Sequence, residues 1–243
     1  MLYHQKNQQV SYGEVIGILL LDSPVPFIPG DVANATTYDF PVRFKKVPGF
    51  TVAKALGKDE SIYPAILQAA MDLKANGVRA VTGDCGFMAL HQKRLKEDIE
   101  IPVFLSSLFQ IPFIHYIIPD NAKIGIITAS AKSLTPSFLK NIGIHETSEL
   151  VVQGLENCPE FKSAVLEEKG TLDTDLIEAE VVKAAIDLTK KYKNIKAILL
   201  ECSVLPPYAI MIQNATGLPV FDYISMINFV FSAVVKSNYK GFM

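Results

Sequence analysis

The sequence contains few cysteines, no excess of charge of either sign and no long hydrophobic run. Three cysteines in 243 residues are too few for a disulfide scaffold, and the odd number leaves at least one thiol free. Lysine plus arginine total 23 against 25 for aspartate plus glutamate, which disfavours nucleic acid as a partner. No stretch approaches the ~20 apolar residues of a membrane-spanning helix, and the run Val15–Leu21 is interpreted as a strand, not a signal peptide. We therefore expect a cytoplasmic protein in a reducing compartment, with no membrane partner.

Motifs for nucleotide and metal binding are also missing. There is no Walker-type phosphate loop, no Gly-x-Gly-x-x-Gly fingerprint and no His/Cys cluster with zinc spacing. Apolar residues make up 49% of the chain and charged residues 20%, which is close to the globular average and sufficient for a sizeable core. The sequence thus predicts a globular protein whose partner is a small molecule.

Short apolar runs alternate with longer segments of helical period, a pattern typical of an α/β fold with parallel strands. The predicted strands are Glu14–Leu21, Val78–Gly83, Val103–Ser106, Lys123–Thr128, Glu149–Gln153, Lys196–Leu200 and Pro219–Asp222. Helices are predicted at Asp59–Asn76, which Gly77 terminates, and at Asp175–Tyr192. The connection Ser23–Gly57 is rich in Pro, Gly, Asp and Asn, which indicates a functional or disordered segment.

An internal repeat divides the chain into two halves. Gly77–Cys85 aligns without a gap with Asn194–Cys202, 117 positions later, and both segments end in an acidic residue followed by cysteine. Two further pairs match, the first at the same offset and the second at an offset of 108: Ile101–Phe104 with Leu218–Phe221, and Ile16–Leu19 with Ile124–Ile127. The repeat predicts two pseudo-symmetric domains with Rossmann-like or flavodoxin-like parallel sheets.

Cys85 and Cys202 each follow a predicted strand, at the edge where parallel α/β sheets bind ligands. If the halves pack around a pseudo-twofold axis, the two thiols approach one cleft from opposite sides, as inversion at a carbon requires. Backbone N–H groups of Gly86 and Ser203 are expected to lower the thiol pKa values and to bind a substrate carboxylate. A lone cysteine is usually structural, but the matched positions favour a catalytic pair, whereas Cys158 has no repeat partner. This scheme needs no metal or organic cofactor.

Several of these residues resemble the aspartate/glutamate racemase superfamily, and the likeness spans nearly the whole chain. It rests on Gly83–Phe87, on Glu201–Ser203, on Asp22 and on the Ile28–Val32 loop. The resemblance implies a cofactor-independent enzyme with two similar α/β domains and a cysteine pair in the interdomain cleft. It also implies that the last strand and helix return to the first domain, which gives domains at 1–106 plus 224–243 and at 107–223.

The function that the resemblance implies is an amino-acid racemase or epimerase in which Cys85 and Cys202 exchange the Cα proton. Glutamate racemases carry Asn-Thr after the first cysteine and Thr-His after the second, whereas this chain has Gly86-Phe87 and Ser203-Val204. Hydantoin racemases, a maleate isomerase and decarboxylases share the superfamily, so fold and thiols leave several reactions open. A small-ligand binding protein without turnover is the competing class.

Further residues are candidates for binding an amino acid or a related carboxylate. They lie at strand ends, in the polar loop and beside the cysteines: Asp22, Ser23, Asp31, Asn34, Gly86, Phe87, Thr128, Ser130 and Ser203. Asp84 and Glu201 precede the cysteines, and strand alternation is expected to point them away from the thiols, in a supporting role at most. Arg43 is assigned to a solvated strand face, and the Phe-rich C-terminal segment to the core or a homodimer interface.

Overall fold

The structure is a computed structural model that describes residues 2–5, 7 and 9–243. Its strands are β1 Ile16–Leu20, β2 Val42–Lys46, β3 Ala80–Gly83, β4 Lys123–Thr128, β5 Leu150–Gly154, β6 Ile195–Leu200 and β7 Val220–Phe221. Its α-helices are α1 Val52–Gly57, α2 Tyr63–Ala75, α3 Gln92–Ile99, α4 Ile111–Ile117, α5 Pro136–Asn141, α6 Pro159–Phe161, α7 Thr174–Lys191, α8 Ala209–Thr216 and α9 Tyr223–Val234. A π-helical turn, Lys162–Leu166, directly follows α6.

The strands form two parallel sheets, which confirms the predicted α/β fold. The first sheet has the order β2-β1-β3, and the second has the order β5-β4-β6-β7. All of the strand pairs within them are parallel. Parallel strands need helical crossovers that cover both faces, and strands β1, β3, β4 and β6 are accordingly almost entirely buried.

The internal repeat reappears as matching registers in the two sheets. Ile16 pairs with Ala80 in the first sheet, and Ile124 pairs with Ala197 in the second, as the offsets of 108 and 117 require. In each half a long helix packs on a glycine of the central strand, α2 on Gly17 of β1 and α7 on Gly125 of β4. A Cβ on Gly17 would lie 3.0 Å from Leu73, and one on Gly125 would lie 3.0 Å from Leu188. The two halves are therefore built by the same packing rules.

Three strand predictions differ from the structure. The Ser23–Gly57 connection contains the edge strand β2, which pairs with β1 on one side. Its residues are only partly buried and include three charged side chains, so it lacks the apolar pattern of the other strands. The predicted strand Val103–Ser106 is reduced to a single bridge, between Val81 and Val103. The last strand does not return to the first domain, since β7 pairs with β6 in the second sheet.

Helix α9 closes the first half. Its buried residues Tyr223 and Ile227 pack with Ile16 and Ile18 of β1 in one apolar cluster. The helix begins with a capping box, in which the Asp222 side chain accepts from the Ser225 N–H at 2.7 Å. Another cluster contains residues of both sheets, so the halves share a continuous core. Within the described residues, no helix is both long and apolar enough to cross a bilayer.

Candidate active site

The two repeat cysteines occupy equivalent positions just beyond β3 and β6. Cys85 has extended backbone geometry and caps the 3-10 helix Gly86–His91. The backbone N–H groups of Phe87 and Val204 act to lower the pKa of the Cys85 thiol and of the Cys202 thiol, respectively. Phe87 and Val204 are themselves 117 positions apart. The repeat thus extends from the strands to the backbone N–H groups that act on the thiol pKa values, and these groups lie one residue later than expected.

Both cysteines line one small cavity between the halves. Its volume is about 50 Å³, which is room for water but far below the ~300–1,000 Å³ of typical ligand pockets. Most of the lining residues are apolar, and they come from both halves: Leu21, Val25, Phe27, Val52, Leu56, Gly86, Phe87, Ala129, Val165, Leu166 and Val204. The polar lining consists of Ser23, Asp84, Cys85, Glu201, Cys202 and Ser203. No lysine, arginine or histidine stands among these lining residues.

Asp84 and Glu201 also line the cavity, contrary to the expectation that they point away from the thiols. Strand alternation does not reach them, because β3 ends at Gly83 and β6 ends at Leu200. The Leu21 N–H donates to both Asp84 oxygens, at 3.0 and 3.1 Å. Thr128 Oγ1 donates to Glu201 Oε2 at 2.7 Å. The sequence signal for both was the acidic residue that precedes each repeat cysteine.

The cavity disfavours negative charge. Burial raises the pKa of Asp84 and that of Glu201, each to about 7. Burial, reinforced by the Glu201 carboxylate, raises the pKa of both the Cys85 and the Cys202 thiols. The expected lowering of the thiol pKa values is therefore wrong. The N–H donors of the short turns are outweighed by burial and by acidic neighbours.

Hydrogen bonds of two buried serines hold the cysteine segments, one across the halves and one within the second half. Ser203 Oγ donates to the Asp84 carbonyl oxygen, next to Cys85. Ser107 Oγ donates to the Leu200 carbonyl oxygen at 2.9 Å. Both serines are buried, so these bonds are shielded from water. The Ser203 bond joins the segments that follow β3 and β6 and so positions the two thiols relative to each other.

Four of the predicted binding residues line the cavity with the cysteines: Ser23, Gly86, Phe87 and Ser203. The other five, Asp22, Asp31, Asn34, Thr128 and Ser130, are not among its lining residues. Asp22 accepts from the Gly49 N–H and from Lys46 Nζ, and Asn34 caps a 3-10 turn through the Thr36 N–H. Local turn and cap bonds thus use these side chains.

The remaining three, Asp31, Thr128 and Ser130, form hydrogen bonds outside the cavity lining. Asp31 is buried and accepts from the Ala33 N–H at 2.8 Å, and its charge contributes to the raised pKa of Cys202. Thr128 holds Glu201, as described above, and Ser130 bonds within its own turn to Ser133 at 3.2 Å. Arg43 forms an ion pair with Glu14 at 3.0 Å in β2. The guanidinium is therefore engaged away from the cavity.

A hydrogen bond between two side chains joins the halves at the rim of the cavity. Ser23 Oγ donates to Glu168 Oε1 at 2.6 Å, and Glu168 follows the π-helical turn that supplies Val165 and Leu166 to the lining. Because the cavity is too small for a substrate, these segments must separate to admit one. We refer to the Ser23–Glu168 pair as the rim bond.

Ser23→Ala is expected to increase alkylation of Cys85 and Cys202 by iodoacetamide about 5-fold, because a lost hydrogen bond of about 1 kcal/mol raises the open fraction by that factor. Mass spectrometry of the labelled peptides measures the rates. Ser232→Ala, which removes an exposed hydroxyl of α9 that bonds Phe229, is the matched control. Equal labelling in Ser23→Ala and wild-type protein would show that the rim bond does not limit access.

Comparison with solved structures identifies the class of fold. Allantoin racemase from Pseudomonas fluorescens superimposes with a TM-score of 0.63 at 18% identity, covering 91% of each chain. Unliganded arylmalonate decarboxylase gives 0.59 at 13% identity, covering 93% of this chain and 94% of the other. Glutamate racemase from Aquifex pyrophilus gives 0.54 at 20% identity, covering 91% and 84%. The protein therefore has the fold of the aspartate/glutamate racemase superfamily, as the sequence motifs predicted.

Curated relatives define the family more narrowly, although no family model matches the chain. Dimethylsulfoniopropionate lyase 7 of Emiliania huxleyi (strain CCMP1516) is 31% identical over 91% of this chain and 67% of its own length. The dimethylsulfoniopropionate lyase of Durusdinium sp. clade D is also 31% identical, over 91% of this chain and 75% of its own length. A third relative, dimethylsulfoniopropionate lyase 3 of the same Emiliania huxleyi strain, is 30% identical, and this chain covers only 60% of its length. The chain belongs to the dimethylsulfoniopropionate lyase family.

Proposed function

We propose that the protein is a cofactor-independent lyase that eliminates a neutral sulfide from a sulfonium carboxylate such as dimethylsulfoniopropionate. The observation that carries this proposal is the make-up of the cavity, which joins two thiols and two buried carboxyl groups to an apolar wall. The named relatives are enzymes, and their names favour a lyase over the isomerase that the resemblance of the motifs implied.

The cavity suits a substrate that carries a positive charge without hydrogen-bond donors. A sulfonium group presents methyl groups, which fit the apolar lining, and a positive charge that a buried carboxylate of the cavity can compensate. Phe27 and Phe87 both line the cavity, and the face of an aromatic ring attracts an onium cation. The pKa values of the thiols and carboxyls, which burial raises, fall when a cation enters. Binding of this substrate class thereby promotes the thiolate that the chemistry needs.

The proposed reaction is a β-elimination. A thiolate of Cys85 or Cys202 takes the proton from the carbon next to the carboxylate and becomes a thiol. The C–H electron pair forms the new carbon–carbon double bond, and the bond from the β-carbon to sulfur breaks with its electrons going to sulfur. Neutral dimethyl sulfide leaves, acrylate remains, and the proton passes from the thiol to solvent. Atoms and charges balance without an oxidant or another reactant.

The test is incubation of the protein with dimethylsulfoniopropionate, with dimethyl sulfide measured in the headspace by gas chromatography. We expect release that is proportional to protein concentration, with acrylate formed in equal amount. A panel of amino acids, hydantoins and allantoin, followed by polarimetry, should remain unchanged. Absence of sulfide at every protein concentration would refute the lyase proposal.

Racemisation of an amino acid or a derivative is the second candidate, and the matched placement of the two cysteines favours it. Two thiols in one cavity, each at the end of an equivalent strand, are the arrangement that a two-base inversion uses. This reaction would incorporate deuterium at Cα from heavy water without loss of a group. Exchange with an amino acid or hydantoin, and none with the sulfonium compound, would favour this candidate over the lyase.

A further inference from the structure

Glu201 holds a buried oxygen atom that has no partner. Its side chain is 1% exposed, and Oε2 accepts the Thr128 hydroxyl. Oε1 is buried and forms no hydrogen bond within the described part of the chain. An unsatisfied buried acceptor costs about 1–3 kcal/mol, and more when it is charged, so it is retained only where something else needs it.

Gly86 is what allows this carboxylate to lie beside Cys85. A Cβ atom at position 86 would overlap Glu201 Oε1 and would lie 2.8 Å from the Glu201 carbonyl oxygen. Residue 86 follows Cys85 directly, and Glu201 precedes Cys202 directly. The free oxygen is thereby placed where the two cysteine segments of the halves meet.

The surroundings of Glu201 are acidic. Asp84, Cys85 and Cys202 line the same cavity, and the charge of Glu201 contributes to the raised pKa of both thiols. Asp31 and Tyr223 are the other titratable groups whose charges interact with this cluster. Asp84 differs from Glu201, because the Leu21 N–H already occupies both of its oxygens. Glu201 is therefore the carboxylate of the cavity with free capacity for a ligand.

We propose that Glu201 is the binding residue for the positively charged onium group of the substrate and that it sets specificity for onium carboxylates over neutral ones. The inference rests on the proposed function for the identity of the onium group as a sulfonium. An onium cation has no proton to donate, so it is attracted to a carboxylate oxygen without a hydrogen bond. That matches an oxygen that is buried against Gly86 and forms no hydrogen bond in the described part of the chain. The cation also removes the repulsion between Glu201 and the thiolates.

The experiment uses two ligands of the same shape that cannot be eliminated in the proposed way at neutral pH. They are 3-(trimethylammonio)propionate, which carries the cation, and 4,4-dimethylpentanoate, in which carbon replaces nitrogen. Calorimetry at about pH 8, above the Glu201 pKa of about 7, compares the two dissociation constants. We expect wild-type protein to bind the cationic ligand about 10- to 100-fold more tightly. In Glu201→Gln this preference should fall to about 1 to 3-fold.

Asp84→Asn is the matched control, since it removes a carboxyl from the same cavity whose oxygens are already bonded. Its preference for the cationic ligand should stay within about 3-fold of wild type, because the Leu21 N–H already occupies both Asp84 oxygens. Equal loss in both variants would overturn the assignment to Glu201. No preference in wild-type protein would overturn it as well.

A second arm covers the case in which Glu201→Gln fails to fold. In wild-type protein and in Asp84→Asn, where position 84 no longer titrates, the preference should shrink alike as the pH falls below about 7, because the Glu201 carboxyl then binds a proton. An undiminished preference at low pH would contradict the proposal. The result is independent of turnover: a cation preference without sulfide release would refute only the lyase proposal, and release without a preference would refute only the role of Glu201.

Discussion

Replacing the two cavity cysteines one at a time with serine is expected to give unequal losses of sulfide release. Elimination needs one base, because dimethyl sulfide leaves as a neutral molecule and requires no acid. The variant that lacks the base should lose at least the ~10²–10⁴-fold typical of a general base, since a serine hydroxyl is far less acidic than a thiol. The other variant should retain much more activity. Headspace gas chromatography on purified variants measures both.

Cys158→Ser is the matched control for these variants. Cys158 is half-buried, but it packs in the second half away from the cavity lining, so its variant should behave like wild type. Equal large losses in Cys85→Ser and Cys202→Ser would indicate that both thiols take part in proton transfer, as in a two-base racemase. Wild-type activity in both variants would exclude a thiol as the base.

Gly86→Ala is expected to destabilise the fold and abolish activity. The new methyl group would overlap Glu201 Oε1 and approach the Glu201 carbonyl oxygen to 2.8 Å. That backbone cannot yield easily, because the Glu201 N–H bonds the Ile127 carbonyl at 2.9 Å at the end of β4. Overpacking of this kind typically costs about 1–3 kcal/mol. Urea denaturation measures the free energy of unfolding, and sulfide release measures the effect on the site.

Gly57→Ala provides the comparison for that variant. Gly57 ends helix α1, and a Cβ there would meet no atom within 4 Å. Alanine favours helical backbone over glycine, so Gly57→Ala should be as stable as wild type or slightly more stable. Wild-type stability and activity in Gly86→Ala would mean that Glu201 does not occupy the position beside Cys85, and the onium site would lose its basis.

The repeat made much of the fold predictable from the sequence. Hydrophobic runs predict the strands because each parallel sheet buries both of its faces. The offset of 117 also relates the pair Val81 with Val103 to the pair Ile198 with Val220. The position of both cysteines beyond their strands followed from the same pattern. Edge strand β2 was harder to predict, because its residues are half-buried and carry charges that solvent accommodates.

The chemistry of the site was less predictable than its location. Asp84 and Glu201 were expected to face away from the thiols, on the assumption that strand alternation continues as far as the cysteines. The strands end one residue before each acidic residue, so the alternation does not apply to them. The thiol pKa values were expected to fall, because sequence shows the turn that follows each cysteine but not the burial that outweighs it. The first error arises from where the two strands end, and the second arises from the burial of the thiols.

Loop residues explain the remaining differences. Asp22 and Asn34 are residue types that bind ligands and also complete turns, and here their oxygens accept backbone N–H groups of Gly49 and Thr36. Sequence does not distinguish the two uses. Substrate identity likewise does not follow from the fold, which racemases and a decarboxylase share, and it entered through the lyase relatives.

The central claim is that a cavity cysteine takes the Cα proton of an onium carboxylate and thereby expels a neutral sulfide. Its most direct test is a proton NMR time course of dimethylsulfoniopropionate in heavy water, with wild-type protein and with the double variant Cys85→Ser/Cys202→Ser. The account predicts equal amounts of dimethyl sulfide and acrylate with wild type and neither product with the double variant. Deuterium at Cα without acrylate, or acrylate from the double variant at the wild-type rate, would contradict it.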